Sequence, residues 1–460
     1  MKGVDDSARR RILFLIIITS FINPFLGAAV NIALPAIAKD FSMGAVGMSW
    51  VAMAFLLSSA TFLVPFGKLA DIRGRKRVFL VGNLIITFTS LLCALSITGS
   101  MLIVSRVLQG IGSAMVFGTG MAIITSVYPP GKRGKAIGIA VTAVYIGLSL
   151  APVLGGVLTQ YLGWRSIFYV TVPFELVVVW IIWRSIPQEW AEARGERFDL
   201  PGSLLYLVSM SAFMFGFSRL PGTLAVVLAA AGLAGLILFI LLEMRVASPV
   251  FDMALFTSNR LFAFSNLAAL INYATTFAIT FLLSLYLQVV MDLSPRDAGM
   301  ILITQPVTMA LVASLSGRLS DRVDPRILSS AGMAIIVLGL VMLSFLSDQT
   351  SLARLLPNLV VVGFGFGLFS SPNTNAIMSS VEKKQLGVAS ATVGTMRLTG
   401  QMLSMGIATL ILQLYLGNQQ LTPHHSTEFL SSMRTTFLIF VVLCSAGVFA
   451  SLARGKIRRD

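Results

Sequence analysis

Charged side chains that lie inside long apolar segments are the residues of this sequence best suited to chemistry. Arg106 and Arg397 each lie within such a segment, and of the 19 acidic residues only Glu175 clearly does so. A charge in apolar surroundings is costly, and it normally faces a cavity, a partner or a proton pathway. Glu175 follows Pro173 by two residues, so it could equally be a first-turn acid that the helix dipole stabilises. We therefore predict Glu175 as the proton-coupling group, with the helix-start interpretation left open.

Neutral polar side chains on the same kind of segment are candidates for contact with a bound small molecule. They are Asn23, Gln109, Asn272, Gln305, Asn375 and Gln401. Each could instead form an interhelical hydrogen bond, which contributes about 0.6 kcal/mol on average. Together with the two arginines, the predicted substrate-binding residues are Asn23, Arg106, Gln109, Asn272, Gln305, Arg397 and Gln401.

The residue combinations that most enzymes and metal sites need do not occur in this sequence. Both histidines, His424 and His425, lie in one polar stretch, so a Ser/His/Asp set has no separate histidine to draw on. Cys93 and Cys444 lie far apart in apolar segments and lack metal-ligand spacing. No phosphate-binding Walker loop is present. We expect no enzymatic activity, no metal and no cofactor.

The composition predicts the elements that must position these residues. The 460-residue chain is 56% hydrophobic and only 12% charged, whereas soluble domains are about a quarter charged. Spanning a bilayer takes about 20 apolar residues per helix, and lipid leaves backbone groups no partners outside a helix or a closed barrel. The apolar segments are too long for barrel strands. We predict fourteen transmembrane helices at 12–37, 46–67, 78–97, 100–126, 135–160, 167–184, 201–218, 223–242, 262–290, 297–317, 327–347, 355–378, 386–415 and 435–453.

The distribution of basic residues predicts the topology. If the N-terminus is cytoplasmic, most of the 34 Lys and Arg residues fall on cytoplasmic segments. This bias is the positive-inside rule, and it predicts that both termini are cytoplasmic. The net charge of +15 is thereby explained by topology, so we expect a lipid bilayer and no nucleic acid as partner.

An internal repeat predicts the domain organisation. The string Gly67–Asp71 recurs as Gly317–Asp321, each time at the end of the second predicted helix of its half. Parallel repeats of this kind form one transporter architecture, with a substrate site between the halves. We predict a six-helix bundle over 1–190, two inserted transmembrane helices over 191–250 and a second six-helix bundle over 251–460. The acidic and basic stretch from residue 187 to 199 is expected to be a solvated linker.

The loop after the second predicted helix carries the first resemblance to a known family. It runs from Gly67 to Arg77, with Asp71 and Arg75 between glycines that permit close approach and a tight turn. The string resembles the signature loop of the major facilitator superfamily. In that family the aspartate helps to latch the two halves together, so the resemblance implies a gating role for Gly67, Asp71 and Arg75. A plain basic loop is the alternative.

Two further motifs are similar to those of the same family. Arg106 opens the string Arg-Val-Leu-Gln-Gly-Ile-Gly in the fourth helix, and the match implies proton coupling or substrate contact, with a structural ion pair as the alternative. The fifth helix carries small residues and a proline in the spacing of the antiporter motif of drug-exporting facilitators. Its members with an implied gating role are Gly147, Pro152, Gly155 and Gly156.

The end of the first helix resembles the fourteen-helix drug:proton antiporter branch but departs from it at two positions. Leu26 and Ala28 stand where that branch commonly has an acidic residue and a threonine. The usual membrane carboxylate is therefore absent, and the two arginines in spans outnumber the one glutamate. An anionic or amphipathic substrate is favoured over a lipophilic cation on this count.

The resemblance implies an all-α polytopic membrane protein with the major facilitator fold, arranged as 6+2+6 helices. It implies a monomer in the inner (plasma) membrane that exports small amphipathic compounds by alternating access, with protons as the coupling ion. A proton-independent carrier or flippase for anionic metabolites or lipids is the alternative, and a receptor or membrane enzyme without transport is a third class.

Overall fold

The structure is a computed structural model that describes residues 6–186, 188–220, 222–246, 249–250, 253–320, 323–381, 386–417, 419 and 421–455. The described residues form helices and connecting turns, with no strand among them. The α-helices are α1 (Asp6–Asp40), α2 (Ala45–Arg73), α3 (Arg75–Ala94), α4 (Gly99–Val127), α5 (Pro130–Leu162), α6 (Ser166–Ser185), α7 (Leu200–Ser218), α8 (Thr223–Glu243), α9 (Ala254–Ser258), α10 (Arg260–Leu285), α11 (Pro295–Leu302), α12 (Thr304–Leu319), α13 (Pro325–Leu343), α14 (Leu352–Ser379), α15 (Leu386–Leu416) and α16 (Ser426–Ala453). A π-helix at Tyr286–Val290 extends α10, and a 3₁₀ turn at Pro423–His425 precedes α16.

The described residues contain fourteen helical segments that are long and apolar enough to cross a membrane. This confirms the predicted number of spans. The helix α9 is too short to be one of them, whereas α11 and α12 together form a single span, Pro295–Leu319. Because the number of spans is even, α1 begins on the side of the membrane on which α16 ends. We call this the terminal side and the opposite one the far side.

Local sequence signals explain where several of these helices begin. The side chains of Thr98, Asn259 and Ser294 accept hydrogen bonds from backbone N–H groups in the first turns of α4, α10 and α11, as N-cap residues do. Proline occupies the first turn of α5, where its missing N–H is not needed. Gly74 adopts φ +118° between α2 and α3, a conformation that side chains other than glycine rarely take.

Two sets of helices form most of the interior. In the first set, α1–α6, the helix α1 packs on α5, α4 packs on both α2 and α3, and α3 packs on α6. In the second set, α10–α16, the helix α10 packs on α15, α14 packs on both α12 and α13, and α13 packs on α16. The two sets meet mainly where α2 contacts α15 and where α5 contacts α11.

The helices α7 and α8 pack mainly on each other. A Cβ on Gly216 or on Gly232 would overlap the backbone of the opposite helix, so glycine permits the close approach of the pair. The helix α7 also contacts α2 and α15, whereas α8 exposes much of its apolar surface, as expected beside lipid. That α7 and α8 are an inserted pair over 191–250, between two six-helix bundles, stays a prediction.

Candidate functional site

A cavity lies between the two sets of helices. Its empty volume is about 1140 Å³, including the part that is open to solvent. The lining comes from α1, α2, α4 and α5 on one side and from α10, α11, α12, α14 and α15 on the other. Ligand sites are typically cavities of this size, mostly apolar with a few placed polar groups.

Aromatic rings from both sets form much of the cavity wall. They are Phe55, Phe117, Tyr145, Tyr273, Phe277 and Phe366. Tyr273 and Phe366 pack edge to face with ring centroids 5.4 Å apart. The hydroxyl of Tyr145 on α5 lies 2.8 Å from that of Ser370 on α14, so this pair connects the two sets beside the cavity. Such a wall favours a flat, aromatic molecule, since rings stack on rings.

Four of the predicted substrate-binding residues line this cavity: Asn23, Gln305, Arg397 and Gln401. Asn23 donates to the Thr19 carbonyl of its own helix at 3.0 Å, which leaves its Oδ1 atom without a described partner. The guanidinium of Arg397 lies 5.4 Å from the ring centroid of Phe117. Within the described residues, no carboxylate pairs with Arg397. The cavity therefore offers amides and one cation.

The other three predicted residues, Arg106, Gln109 and Asn272, are fully buried and do not line the cavity. Arg106 lies behind the cavity wall, with its guanidinium 4.4 Å from the ring centroid of Phe55. It donates to the Val51 carbonyl of α2 at 3.2 Å and to Gln109 Oε1 at 2.6 Å. Arg106 and Gln109 thus form a second layer behind the Phe55 ring.

The predicted proton-coupling residues Glu175 and Arg106 are brought into one hydrogen-bonded group, although they make no ion pair. Gln109 donates to Ser90 Oγ at 2.9 Å, and Ser90 lies 3.4 Å from Glu175 Oε1. Glu175 is 2% exposed. Both Glu175 Oε2 and one terminal nitrogen of Arg106 lack a described partner. Glu175 lies well inside α6, so it is not the first-turn acid of that helix.

The signature loop contacts the connecting segment that follows α6. Arg75 pairs with Asp71 at 2.7 Å and with Glu192 at 2.8 Å, and Ala193 donates to the Asp71 carbonyl at 3.0 Å. The segment at 188–199 is thus docked on the loop, while most of its residues stay exposed, as expected for a solvated linker. Asp321, from the second copy of the repeat, lies outside the described residues.

Glycines of the antiporter-like motif place α5 against its neighbours. A Cβ on Gly147 would lie 2.5 Å from the Phe21 carbonyl of α1, and one on Gly155 would lie 3.0 Å from Ala29 of the same helix. A Cβ on Gly156 would overlap the Pro295 carbonyl at the start of α11. Pro152 lines the cavity, whereas a Cβ on Gly67 would meet nothing within 4 Å.

Several backbone and side-chain contacts join the two sets near the far side. Ser284 and Gln288 donate to the Asn31 and Ile32 carbonyls of α1, each at 3.0 Å. Arg296 donates to the Tyr161 hydroxyl at 3.1 Å. These contacts surround the end of α10, where the π-helix lies; π-helical turns are frequent at functional sites.

Sequence reasoning missed Ser90, Phe55 and Tyr145. Ser90 is one of many serines in apolar helices, and its contact with Glu175 spans 85 residues of sequence. Phe55 lies among apolar neighbours and has no distinguishing spacing. Tyr145 stands two residues before Gly147 in the antiporter-like motif, which was the one signal that could have drawn attention to it.

Comparisons with known proteins place this architecture among transporters. The family model described as Major Facilitator Superfamily matches residues 16–268 and 265–459. The chain is 30% identical to the riboflavin transporter RibZ of Clostridioides difficile over 444 residues, which cover 96% of each chain. It is 31% identical to the multidrug resistance protein Stp of Mycobacterium tuberculosis over 86% of this chain and 74% of that one. A solved structure of a bacterial homologue of the human lysosomal transporter Spinster superposes with a TM-score of 0.72 at 16% identity, covering 98% of both chains.

Proposed function

The chain belongs to the Major Facilitator Superfamily, and from this premise we propose that it is a secondary active transporter that exports small amphipathic aromatic compounds by alternating access. The observation that carries the proposal is the cavity, because aromatic rings from both sets of helices face it together with a few amides. A molecule bound there contacts both sets. Movement of one set against the other then changes the side from which the molecule is reached.

The lining supports a neutral or anionic substrate. Among the lining residues that the structure describes, Arg397 is the charged one, and none is acidic. A lipophilic cation would meet this guanidinium without a compensating carboxylate, whereas an anion or a polar aromatic edge would be stabilised by it. A planar, polar-edged ring such as that of riboflavin fits this description, and the relative RibZ is named for riboflavin transport.

Alternating access is supported by the contacts that join the two sets near the far side. We propose that both termini are cytoplasmic and that these contacts form the gate toward the exterior. The bundles at 1–190 and 251–460 are proposed to rock against each other, with Gly156 and Pro152 at the contact between α5 and α11 and with Asp71 and Arg75 at the terminal side. We propose a monomer in the inner membrane and proton antiport as the coupling mode.

A proton-independent carrier or flippase for anionic metabolites or lipids is the second candidate. The observation that favours it is Arg397, a cation in the cavity with no described carboxylate partner. Export that continues at the same rate after collapse of the proton gradient would favour this candidate over proton antiport.

Fluorescence binding to the purified protein tests the substrate class with three planar probes of different charge. Riboflavin is neutral, flavin mononucleotide carries the same ring with an anionic phosphate, and ethidium is a planar cation. We expect both flavins to bind more tightly than ethidium. If ethidium binds best, or if none of the three binds, the proposed substrate class is wrong.

Two matched pairs of variants locate the binding in the cavity. Phe366→Ala removes a cavity ring, whereas Phe88→Ala removes a ring that is 62% exposed on the outside of α3. Arg397→Gln removes the cavity cation, whereas Arg354→Gln removes an exposed one. We expect the two cavity variants alone to weaken flavin binding, by about tenfold or more for Phe366→Ala, as for a buried aromatic contact. Equal effects of both members of a pair would contradict the placement of the site.

A further inference from the structure

A chain of hydrogen bonds in the first set of helices runs in one direction from Arg106 to Glu175. A guanidinium can only donate, so Gln109 must present its Oε1 atom to Arg106 and its amide hydrogens elsewhere. Its Nε2 donates to Ser90 Oγ at 2.9 Å, and Ser90 then donates toward Glu175 Oε1 over a loose 3.4 Å. Every donor in this chain points toward the carboxylate, and such chains polarise one another.

At each end of this hydrogen-bond chain, one side-chain atom has no described hydrogen-bond partner. Arg106, Gln109 and Ser90 are fully buried and Glu175 is 2% exposed, yet one nitrogen of Arg106 and Oε2 of Glu175 have no described partner. Buried polar groups in a static structural network are normally all paired. An unpaired atom at each end of this hydrogen-bond chain leaves room for a second protonation or hydrogen-bonding state.

The chain lies beside the cavity but is separate from it. None of its four members lines the cavity, whereas Phe55, whose ring Arg106 covers at 4.4 Å, does. Arg106 is also tied to α2 through the Val51 carbonyl, one turn before Phe55. A shift of the guanidinium therefore changes the position of a ring that a bound molecule touches.

Few other polar groups of the described residues lie around Glu175. The thiol of Cys93 on α3 lies within electrostatic reach of both Arg106 and Glu175. Thr171, one turn before Glu175 on α6, donates its hydroxyl to the Phe168 carbonyl at 2.9 Å and also lies within hydrogen-bonding reach of the Glu175 carboxylate. No cation pairs with Glu175 directly, so Arg106 acts on it through Gln109 and Ser90.

We propose that Glu175, Ser90, Gln109 and Arg106 form a proton-binding site that is separate from the substrate cavity and is coupled to it through Phe55. The proposal rests on the transport function proposed above. A proton from water binds a carboxylate oxygen of Glu175 and makes it neutral, and the same proton later returns to water. Ser90 and Gln109 are positioning residues that transmit this change of charge to Arg106.

The hydrogen bonds from Arg106 to Glu175 differ between the ionised and the neutral state of Glu175. The ionised carboxylate accepts from Ser90 and draws each donor toward it, which holds Arg106 on Phe55. The neutral carboxyl group can itself donate to Ser90 Oγ, so the pull on Gln109 and Arg106 is lost. By linkage, a substrate that displaces Phe55 changes proton binding at Glu175 to the same extent that the proton changes substrate binding.

Infrared difference spectroscopy tests proton binding without any ligand. We expect the purified protein to show the carbonyl stretch of a protonated carboxyl group that titrates with pH, and Glu175→Gln to lack this band. Ser90→Ala and Gln109→Leu should shift the midpoint of its titration. Ser105→Ala serves as the matched control, because the Ser105 hydroxyl donates to the Met101 carbonyl of its own helix; it should leave the midpoint unchanged. A spectrum that is identical in wild type and Glu175→Gln would overturn the proposal.

Transport in proteoliposomes tests the coupling, with riboflavin as the probe. We expect Glu175→Gln to exchange riboflavin across the membrane as wild type does but to lose accumulation driven by a proton gradient. Glu243→Gln, which alters another buried carboxyl group, should retain both activities, and thermal unfolding checks that each variant is folded. Gradient-driven accumulation by Glu175→Gln would overturn the proposal. If wild type fails to exchange riboflavin, the proposed substrate is wrong, and the infrared result alone then decides on the proton site.

Discussion

The first and second sets of helices pack alike where their third and fourth spans cross. In the first set, a Cβ on Gly112 of α4 would lie 2.8 Å from the Gly82 carbonyl of α3. In the second set, a Cβ on Gly365 of α14 would lie 2.7 Å from the Gly332 carbonyl of α13. Both contacts bring backbone against backbone, as small residues allow in membrane helices. The packing of one half is repeated in the other.

The chemistry beside these glycines is not repeated. Alignment of the two halves on the glycine pairs puts Leu359 and Val362 at the positions of Arg106 and Gln109, and all four side chains are fully buried. An apolar pair thus fills the space that a cation and its amide fill in the first set. Since leucine and valine suffice for packing, the arginine and glutamine are present for another purpose.

The second set has its own buried arginine, and it differs from Arg106 in being fully satisfied. Arg454, just beyond α16, makes hydrogen bonds through all three nitrogens, including one of 2.8 Å to Asn373 Oδ1 and one of 2.7 Å to Ser451 Oγ. All of its partners are neutral. This arginine joins the ends of α10, α13, α14 and α16, which is a structural role.

The largest effect on stability is therefore expected at Arg454 and the largest effect on transport at Arg106. Arg454→Met should lower the free energy of unfolding by about 4 kcal/mol, because several buried hydrogen bonds to a charge are lost at once. Arg106→Met breaks fewer bonds and should cost about 2 kcal/mol, yet it should abolish proton-driven accumulation. Thermal unfolding in detergent and vesicle transport measure the two effects.

Leu359→Met is the control for Arg106→Met, because it changes the aligned position by an apolar residue of similar volume. It should cost under about 1.5 kcal/mol and leave transport as in wild type. If Arg454→Met retains full stability, or if Leu359→Met disturbs transport as much as Arg106→Met does, the contrast between the two sets fails.

Valine at the glycine crossings should produce the next largest effect, and it should be equal in both sets. Gly112→Val and Gly365→Val each force a branched side chain onto a neighbouring carbonyl, so each should lower the free energy of unfolding by about 3 kcal/mol, at the upper end for overpacking. Gly138→Val is the control, since a Cβ there meets nothing within 4 Å. A clear difference between the first two variants would show that the crossings are not equivalent.

The fold could be predicted largely from the sequence, because hydrophobic length is set by the thickness of the bilayer. The predicted spans recover all fourteen candidate helices, although the first and last extend several residues beyond the predicted limits, to Asp6 and from Ser426. Helix ends that extend into water are amphipathic or polar, so a prediction based on the length of apolar segments does not include them. The glycine contacts were partly visible as motifs, but their partners were not.

The sequence predicted which types of residue form the candidate site, but not how these residues contact one another. Arg106 and Glu175 stood out because a charge inside a span is rare, and Gln109 shares a motif with Arg106, but nothing in the sequence indicated that Ser90 would connect them to Glu175. Contacts between helices depend on which face of each helix points inward. Because α3, α4 and α6 are apolar on nearly all faces, their sequences do not show which face that is. The same reason explains why Asn23 lines the cavity and Asn272 does not.

The smallest effect on stability is expected at the docked segment on the terminal side, where the partners are partly in water. Glu189 accepts hydrogen bonds from the backbone N–H groups of Lys76 and Arg77 at 2.8 and 3.2 Å, so it caps the N-terminus of α3, where an anion is favoured. Glu192, 65% exposed, pairs with Arg75 at 2.8 Å. Exposed ion pairs contribute about 0–1 kcal/mol, so loss of either acid should hardly change the thermal unfolding.

A local measurement should nevertheless detect these contacts. The double variant Glu189→Ala and Glu192→Ala removes two of the three carboxylates that bond the segment at 188–199 to the signature loop, the third being Glu196 on Lys68, so trypsin should cleave after Arg194 or Arg197 faster than in wild type. Glu428→Ala, at the start of α16 on the far side, should leave the cleavage rate unchanged. Cleavage at the wild-type rate in the double variant would mean that the backbone bonds of Trp190 and Ala193, together with the Lys68–Glu196 pair, hold the segment without the other two acids. The signature loop would then need neither Glu189 nor Glu192 to keep its partner.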